Sequence, residues 1–328
     1  MKIFTDLKQI KNIPPTSIAL GNFDGVHLGH AELIRRAVAY AKERGLAPTV
    51  FTFSNLPYNV LRGKTVIHGV ASEADKERML ESLGIEYLFS LSFDEGFHTM
   101  TPGAFVDGLL LGAFNSRAVF CGFNFRFGAE AAGDPGFLRK EGEAKGFDLV
   151  VMEPYKVGDA LVSSTMIRGL IERGDMVSAT RFLGRPFSIE GEITHGNGLG
   201  RDFGFPTANI GLPEELVVPA YGVYVTESRL CEAGDNRDCE SATERGTRRI
   251  GSSEGGFTRS VTNVGVRPTI GDHKLFAETH ILGAPDDDLY GRRIRVAFLD
   301  MVRPERRFAD IGALKAQVES DKQTALEY

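Results

Sequence analysis

His27 and His30 lie in the segment GNFDGVHLGH, residues 21–30, between a predicted strand and a predicted helix. The glycines of this segment let the backbone turn tightly, and the helix start offers unpaired backbone N–H groups beside the two imidazoles. This combination is suited to binding a phosphate. The segment contains no lysine, so cationic or hydrogen-bonding imidazoles have to contact the phosphate. The alternative interpretation is a loop with two structural surface histidines.

A second candidate anion site lies in VSSTMIR, residues 162–168. Ser163, Ser164 and Thr165 offer hydroxyl groups at a helix start, and Arg168 follows one turn later. A helix N-terminus with an arginine on the same side can bind an anion through charge-assisted hydrogen bonds. The alternative is that the hydroxyl residues only cap the helix.

A glycine-rich segment, THGNGLGRDFGFPTANIGLP, occupies residues 194–213. Backbone amides of its first four glycines could wrap phosphate groups: Gly196, Gly198, Gly200 and Gly204. In an extended segment the side chains of Thr207 and Asn209 share a face, and both offer the oxygen ligands that Mg²⁺ takes beside ATP phosphates. No helix is predicted directly after the segment, which argues against dinucleotide binding. A turn-rich entry to a barrel is the alternative interpretation.

The first half of the chain alternates short apolar runs with amphipathic stretches. Predicted strands lie at 16–23, 48–53, 87–91, 117–121 and 147–153, and predicted helices at 30–45, 72–83 and 101–113. Alternation of this kind predicts a parallel sheet covered by helices. The predicted fold class is therefore α/β over residues 1–184.

Beyond residue 184 the pattern changes to strands without helices between them. Predicted strands lie at 187–194, 221–227, 276–282 and 292–300, and an amphipathic helix follows at 309–328. This order predicts a small antiparallel β-barrel with a C-terminal helix over residues 185–328.

Residues 228–259 interrupt that pattern. The stretch has six Arg, six Asp or Glu, five Gly and four Ser among its 32 residues. Such a composition cannot bury enough apolar surface to offset the entropy of ordering it. We interpret the stretch as a mobile insertion between two barrel strands. A loop that docks a partner, or a redox pair of Cys231 and Cys239, is the alternative.

Composition and charge narrow the class of protein. The 328 residues include 38 Lys+Arg and 44 Asp+Glu, for a net charge of −6, and 42% are hydrophobic. This is the composition of an ordinary globular protein without the basic surface that nucleic-acid binding requires. No apolar run reaches the length of a membrane helix, the N-terminus lacks a signal peptide's apolar segment, and three cysteines lack zinc-ligand spacing. The sequence predicts a cytoplasmic protein with no nucleic-acid or membrane partner.

Together, the motifs of the first half resemble a known family. GNFDGVHLGH, the turn GFNFRFG at 122–128, Gly133-Asp134 and VSSTMIR are similar to the FMN adenylyltransferase module of bacterial bifunctional riboflavin kinase/FAD synthetases. The resemblance implies a nucleotidyltransferase-type domain in which the FMN phosphate attacks the α-phosphate of ATP and pyrophosphate leaves. It implies that His27 and His30 steady the phosphates and that Asn124 contacts substrate. The other nucleotide- and phosphate-binding residues that it implies are Gly21, Asn22, Phe23, Asp24, Gly29, Ser163, Ser164, Thr165 and Arg168.

One segment departs from the family pattern. The family usually has Thr-Phe-x-Pro-His-Pro after the second strand, whereas this chain has TFSNLP at residues 52–57. Leu56, in place of the histidine, can neither hydrogen-bond nor carry charge. The departure favours a slower adenylyl transfer or a different orientation of FMN.

The second half resembles riboflavin kinases. GRDFGFPTAN, YGVYV, NVGVRPTI, FAETHIL and LYGRRIRV occur in the family's order, from about residue 185 to the end except for the insertion. The resemblance implies that Thr207 and Asn209 bind Mg·ATP and that Glu278 is the general base. Phosphorylation of the ribityl 5′-hydroxyl requires such a base to accept the hydroxyl proton. Further candidates for contacting nucleotide or flavin are Asn263, Arg292, Arg293 and the four glycines named above. For Glu278 the alternative is an exposed polar position on an alternating strand. His280 lies on the same face, and the sequence leaves open whether it belongs to the site or is a structural histidine, which is the more common case.

The sequence therefore predicts a bifunctional transferase that uses Mg²⁺ as cofactor and ATP, riboflavin and FMN as substrates. Riboflavin would be phosphorylated in the C-terminal domain, and FMN would be adenylylated to FAD in the N-terminal domain. One alternative is a riboflavin kinase whose first domain has lost adenylyl transfer, which Leu56 favours. Another is a flavin-binding or flavin-sensing protein without turnover.

Overall fold

The computed structural model of the chain describes residues 1–195, 205–231, 257–266, 275–283 and 289–328. They form two compact units, Met1–Ser164 and Thr165–Tyr328. Among these residues, no helix combines the length and the apolar character needed to cross a membrane. Residues 232–256 of the predicted insertion, with Cys239, lie outside the described ranges.

The first unit is a parallel sheet with helices. Its strands are β1 (Lys2–Phe4), β2 (Thr16–Leu20), β3 (Ala47–Phe53), β4 (Tyr87–Leu91), β5 (Ser116–Gly122) and β6 (Asp148–Met152), followed by a small hairpin of β7 (Lys156–Val157) and β8 (Ala160–Leu161). Its helices are α1 (Leu28–Arg44), α2 (Pro57–Arg62), α3 (Glu73–Ser82), α4 (Glu95–Thr99), α5 (Pro102–Ala104, continuing as a π-helix over Phe105–Ala113) and α6 (Pro135–Lys145). The sheet order is β1-β4-β3-β2-β5-β6, and every pairing in it is parallel. The predicted α/β class is confirmed.

The central strand β2 is buried along its whole length. Ile18 and Leu20 pack on one face of the sheet with Phe105, while Ala19 packs on the other face with Ile34 of α1. Burial on both faces explains why Ile18, Ala19 and Leu20 are consecutive apolar residues without alternation, and the buried hydroxyls of Thr16 and Ser17 donate to the carbonyl oxygens of Phe114 and Ala37. The two apolar faces fix the sheet, whose carboxyl edge carries the motif loops.

The second unit is a nearly closed antiparallel barrel. Two helices, α7 (Ser164–Glu172, whose first residue belongs to the first unit) and α8 (Met176–Leu183), precede it. Its elements are β9 (Phe187–Glu192), β10 (Ala208–Gly211), β11 (Gly222–Leu230), β12 (Thr258–Val266), β13 (Leu275–Ile281), β14 (Arg293–Pro304) and the C-terminal helix α9 (Ile311–Glu327). The strand order is β10-β13-β12-β11-β14-β9, with antiparallel pairing throughout. A bridge between Thr194 and Asn209 joins the two edges, so the predicted barrel with a C-terminal helix is confirmed.

The two faces of the barrel strands have different chemistry. On the outer face, Val223 and Val261 pack with Ala325 of α9. Alternate residues face the interior, where a chain of hydroxyl–hydroxyl hydrogen bonds of 2.7–2.9 Å crosses three strands. Its members are Ser228, Ser260, Thr226, Thr262 and Thr279.

The barrel has two strands that the sequence analysis does not predict. β10 is only four residues long. β12 directs the hydroxyls of Ser260 and Thr262 inward, so its sequence lacks the apolar alternation of a strand. Residues 228–230 and 258–259 are strand residues of the barrel rather than part of an insertion. The units divide before residue 184, and the domain boundary predicted there stays a prediction.

Candidate active sites

The loop that carries His27 and His30 follows the carboxyl end of β2 at the topological switch point of the sheet. β3, the next strand along the chain, pairs with one edge of β2, and the later strand β5 pairs with its other edge. In open parallel sheets, ligands bind outside the carboxyl ends of the strands at such a reversal. The turn with Asn124 follows β5, so both motifs lie at the ligand-binding end of neighbouring strands.

His27 caps helix α1 and stacks on His30. Its Nδ1 accepts a hydrogen bond from the backbone N–H of His30 at 3.2 Å, and the ring centroids are 3.6 Å apart with an interplanar angle of 14°. Because Nδ1 accepts, the proton of the neutral His27 ring lies on Nε2, which can donate to a phosphate oxygen. Phe23 contacts His30 edge-on, at a centroid distance of 5.3 Å.

The protonation of His30 differs from that of an exposed histidine. Burial lowers the pKa of His30 well below the usual 6.5, and the electrostatic interaction with neighbouring His27 lowers it further. The residue as a whole is half-buried, but its Nδ1 is fully buried and has no hydrogen-bond partner in the described part of the chain. At neutral pH the His30 ring is therefore uncharged. Of the two roles that the sequence leaves open, this favours hydrogen bonding for His30.

Two glycines permit close approach in this loop. A Cβ at Gly21 would lie 3.1 Å from the ring of Phe23. A Cβ at Gly29 would lie 3.2 Å from Cβ of Tyr155 and 3.3 Å from the ring of His27. A larger residue at Gly21 would press on the ring of Phe23, which contacts His30, and a larger residue at Gly29 would press on the ring of His27.

Asp24 holds the loop in place. Its Oδ1 accepts the backbone N–H of Val70 at 2.7 Å, and its carbonyl oxygen accepts the hydroxyl of Ser164 at 2.9 Å. Only 9% of Asp24 is exposed. The carbonyl oxygen of the exposed Asn22 accepts the hydroxyl of Thr52 at 3.0 Å. These contacts give Asp24 a positioning role, while the nucleotide contacts of Asn22 and Asp24 stay predictions.

Asn124 lies on an exposed turn that folds back over the end of β5. The N–H of Phe125 donates to the carbonyl oxygen of Gly122 at 3.1 Å and closes the turn. A Cβ at Gly122 would lie 3.3 Å from Oδ1 of Asn124. The glycine therefore lets the amide of Asn124 lie directly against the strand end.

The hydroxyl residues of VSSTMIR lie around the start of α7. Ser163 precedes the helix, and the hydroxyl of Ser164 donates to the loop of Asp24. Thr165 and Arg168 belong to the second compact unit. Their contact with pyrophosphate stays a prediction.

The loop in which Leu56 departs from the family pattern is anchored at Ser54 and Asn55, the two residues that precede Leu56. The backbone N–H of Ser54 donates to the carbonyl oxygen of Leu91 at 2.9 Å. The side chain of Asn55 accepts the N–H of Phe93 at 2.8 Å and donates to its carbonyl oxygen at 3.1 Å. Leu56 then precedes α2 as a side chain that cannot cap it.

In the second unit, three candidate residues from different motifs lie in one cross-strand row. Glu278 of β13 is directly opposite Asn209 of β10 on one side and Asn263 of β12 on the other. Opposed residues of antiparallel strands point to the same face with Cβ atoms about 4.5–5.5 Å apart. The row continues to Val223, which packs with α9 on the outer face. One carboxylate and two amides are thus assembled on that face.

The chemistry of this donor set fits Mg²⁺. Thr207 lies two residues before Asn209, and Nδ2 of Asn209 donates to the carbonyl oxygen of Thr207 at 3.4 Å. The hydroxyl of Thr207 and the amide oxygen of Asn209 are hard oxygen ligands of the type that Mg²⁺ takes together with phosphates and water. Within the described ranges no cluster of three or more His, Cys, Asp or Glu could hold a metal. A metal here would depend on this oxygen set and on the phosphates of the nucleotide.

The two candidate arginines have different surroundings. Nη2 of Arg293 is 2.9 Å from Oε1 of Glu190, in an ion pair between β14 and β9. The carbonyl oxygen of Arg292 accepts the N–H of Ile193 at 2.8 Å, one residue before Thr194, which bridges to β10. The structure therefore places Arg292 next to the closure beside Asn209, whereas Arg293 is engaged on the β9 side.

Known proteins match both units. A family model described as FAD synthetase matches residues 9–166, and one described as riboflavin kinase matches residues 183–328. The bifunctional riboflavin kinase/FMN adenylyltransferase of Escherichia coli (strain K12) is 32% identical over 330 residues, covering 100% of this chain and 98% of the relative. The chain belongs to the bifunctional riboflavin kinase/FMN adenylyltransferase family. The resemblance seen in the sequence motifs is confirmed.

Other members of the bifunctional family match over nearly the same length. The protein of Bacillus subtilis (strain 168) is 32% identical over 314 residues, covering 95% of this chain and 92% of the relative. A crystal structure described as a macrolide-efflux protein from Streptococcus pneumoniae has a TM-score of 0.84 at 27% identity, covering 100% of this chain and 99% of that one. The fold is therefore shared over the whole chain.

Lys76, which is not predicted as a site residue from the sequence, positions the loop that departs from the bifunctional family's pattern. Lys76 is 5% exposed, and its ammonium donates to the carbonyl oxygen of Phe53 at 3.0 Å and pairs with Glu73 at 2.7 Å. Buried lysines are rare unless they are paired. Its spacing of three and four residues from the buried Met79 and Leu80 on the same helix is a signal in the sequence that could have placed it on the buried face.

Four candidate residues of the riboflavin kinase motif, Gly196, Gly198, Gly200 and Gly204, lie outside the described residues. The wrapping of phosphates by their amides stays a prediction.

Proposed function

We propose that the second unit transfers the γ-phosphoryl group of ATP to riboflavin, giving FMN and ADP. The first unit then transfers the adenylyl group of a second ATP to FMN, giving FAD and pyrophosphate. The observation that carries the proposal is the row of Asn209, Glu278 and Asn263, because it brings three separate motifs of the chain to one face. The stacked His27 and His30 at the switch point support the second reaction.

In the kinase reaction, Glu278 is the general base. The ribityl 5′-hydroxyl oxygen forms a bond to the γ-phosphorus while its proton passes to the Glu278 carboxylate. The bond between the γ-phosphorus and the bridging oxygen breaks, and ADP leaves. Thr207 and Asn209 would hold Mg²⁺, which neutralises phosphate charge when it is bound. Asn263 orients the reacting groups from the other side of Glu278.

In the adenylyl transfer, the chain's own groups bind and orient phosphates. An oxygen of the FMN phosphate forms a bond to the α-phosphorus of ATP, and the bond from that phosphorus to the bridging oxygen breaks, so pyrophosphate leaves. Nε2–H of His27 donates a hydrogen bond to a phosphate oxygen. His30 is neutral and therefore contacts the phosphates through a hydrogen bond and not through a positive charge. The N-terminus of α1 adds backbone N–H groups and a positive dipole end.

A product analysis tests both reactions. The full chain is incubated with riboflavin and Mg·ATP, and flavins are separated over time. FMN should form first and FAD later, and FMN supplied in place of riboflavin should give FAD directly. Absence of FMN from the first incubation would contradict the kinase assignment, and absence of FAD from the second would contradict the adenylyltransferase assignment.

A second candidate function is favoured by Leu56. If the missing histidine is essential for adenylyl transfer, the chain is a riboflavin kinase with a weak or inactive first unit. This candidate predicts FMN as the accumulating product, with little FAD even from supplied FMN.

A further inference from the structure

His280 connects the strand of Glu278 to the segment that leads into β10. It lies two residues after Glu278 and therefore on the same face of β13. Its Nδ1 is 2.9 Å from the carbonyl oxygen of Pro206. Since a carbonyl oxygen only accepts, Nδ1 carries the proton and donates it to this bond.

The contact extends the pairing of β10 with β13 beyond the backbone ladder. The last ladder pair at this end is Ala208 with Thr279. Continuing that register would place Thr207 opposite His280, but β10 begins at Ala208. Where the backbone pairing ends, the side chain of His280 therefore supplies the next hydrogen bond between β13 and the segment before β10.

Phe205 is held next to this contact from two directions. Its ring is nearly perpendicular to the ring of His280 at a centroid distance of 6.2 Å, and the ammonium of Lys322 on α9 lies 5.2 Å from the Phe205 ring centroid. The second contact is a cation–π interaction. The Phe205-Pro206 dipeptide thus lies between β13 and the C-terminal helix.

Pro206 has one backbone group with which it can be anchored. Proline has no N–H, so only its carbonyl oxygen can take part in a backbone hydrogen bond. That oxygen shares a rigid peptide plane with the nitrogen of Thr207. Fixing the oxygen therefore fixes the plane from which the Thr207 side chain projects.

We propose that His280 is a positioning residue of the kinase reaction. By holding the carbonyl oxygen of Pro206, it directs the Thr207 hydroxyl to the face that Asn209 and Glu278 share. The inference rests on the proposed kinase function and adds to it a residue that acts through Thr207.

Two substitutions separate the hydrogen bond from the bulk of the side chain. His280→Asn keeps an N–H donor near the position of Nδ1, whereas His280→Gln moves its donor to the position of Nε2. We expect His280→Gln to raise KM for Mg·ATP about 3- to 10-fold with a smaller change in kcat, the scale of one net hydrogen bond. His280→Asn should stay within about twofold of wild type. His98→Gln, at an exposed histidine of α4, is the matched control, and FAD formation from supplied FMN should be unchanged in all three.

Hydrogen–deuterium exchange of the nucleotide-free chain gives a readout that is independent of activity. Backbone amides of Thr207 and Ala208 should exchange faster in His280→Gln than in wild type and at the wild-type rate in His280→Asn. The proposal would be overturned if His280→Gln had the wild-type KM for Mg·ATP and wild-type amide exchange rates. It would also be overturned if His280→Gln and His280→Asn changed KM and the exchange rates equally. If the wild-type chain forms no FMN, the proposed kinase function fails, and the exchange comparison alone decides whether His280 holds Pro206.

Discussion

The hydroxyl of Ser164 donates a hydrogen bond to the carbonyl oxygen of Asp24 at 2.9 Å, across 140 residues of sequence. The bond joins GNFDGVHLGH to VSSTMIR, two motifs that each offer groups for a phosphate. Asp24 also accepts the N–H of Val70. The loop that presents His27 is thus held by distant parts of the chain before any nucleotide binds.

Substitution of His27 separates helix capping from phosphate binding. Asparagine is a strong N-cap and keeps an oxygen for the N–H of His30, but it lacks Nε2. FAD formation from supplied FMN should fall about 10²–10³-fold in both His27→Asn and His27→Ala, as for loss of a donor to developing charge. Only His27→Ala should also lower stability, by about 0.5–2 kcal/mol. Rates of FAD formation and thermal unfolding measure the two effects, and a wild-type rate in His27→Asn would remove His27 from phosphate binding.

The lowered pKa of His30 makes stability depend on pH in one direction. Below 6.5 the unfolded chain binds a proton that the buried ring in the folded chain does not. The stabilisation from the neutral ring is therefore complete above pH 6.5 and decreases on acidification, by up to about 1.4 kcal/mol per pH unit. Urea unfolding between about pH 5.5 and about pH 7.5 should show a steeper loss for wild type than for His30→Gln. Parallel curves would contradict the assignment.

Leu56→His tests the departure from the family pattern. The backbone around position 56 is already held by Asn55, so the new imidazole enters a fixed loop. If the family's histidine contacts a phosphate, FAD formation should rise about tenfold, the lower end for a hydrogen bond to a charged group. Leu61→His, at an exposed position of α2, is the control. An unchanged rate in Leu56→His would show that this loop does not position the phosphates.

Glu278→Gln should lower FMN formation about 10²–10⁴-fold, the range for loss of a positioned general base. The amide keeps the size of the side chain but cannot accept the hydroxyl proton. Glu227→Gln removes a carboxylate from β11, which is separated from the strand of Glu278 by β12 and where Glu227 pairs with Arg259, and should leave the rate unchanged. Rates of FMN formation are measured for both variants, with FAD formation from FMN as a reference for folded protein. A wild-type rate in Glu278→Gln would remove Glu278 from the role of general base.

Deletion of residues 232–256 with a short Gly-Ser connection should preserve both activities. Ser228 of β11 is directly opposite Thr258 of β12, so strand pairing already holds together the two segments that flank the deletion, and the free energy of closing a loop depends only weakly on its length. Loss of FMN formation in a variant that still forms FAD would show that the deleted residues serve the kinase site. A second deletion that also removes residues 228–230 should unfold the barrel, because it removes strand pairing.

Much of the first unit could be predicted because its buried strands and amphipathic helices have distinct patterns. The helix of residues 72–83 and the strand of residues 87–91 agree closely with α3 and β4. β12 could not be found in this way, since the hydroxyls of Ser260 and Thr262 satisfy one another inside the barrel and replace the expected apolar residues. The sequence motifs identify Asn209 and Glu278 as candidates, but only strand register shows that they are opposed.

The hydroxyl chain inside the barrel has a consequence for how the kinase activity arises during folding. A slip of β13 by one residue would turn Glu278 inward and Thr279 outward, since side chains alternate between faces. That slip would leave an unpaired carboxylate in the interior and break the bond between Thr279 and Thr262. The misregistered sheet is thus destabilised in the barrel interior and also lacks Glu278 on its outer face. Partly active intermediates are therefore disfavoured, and phosphorylating activity should return during refolding in a single step together with the native sheet.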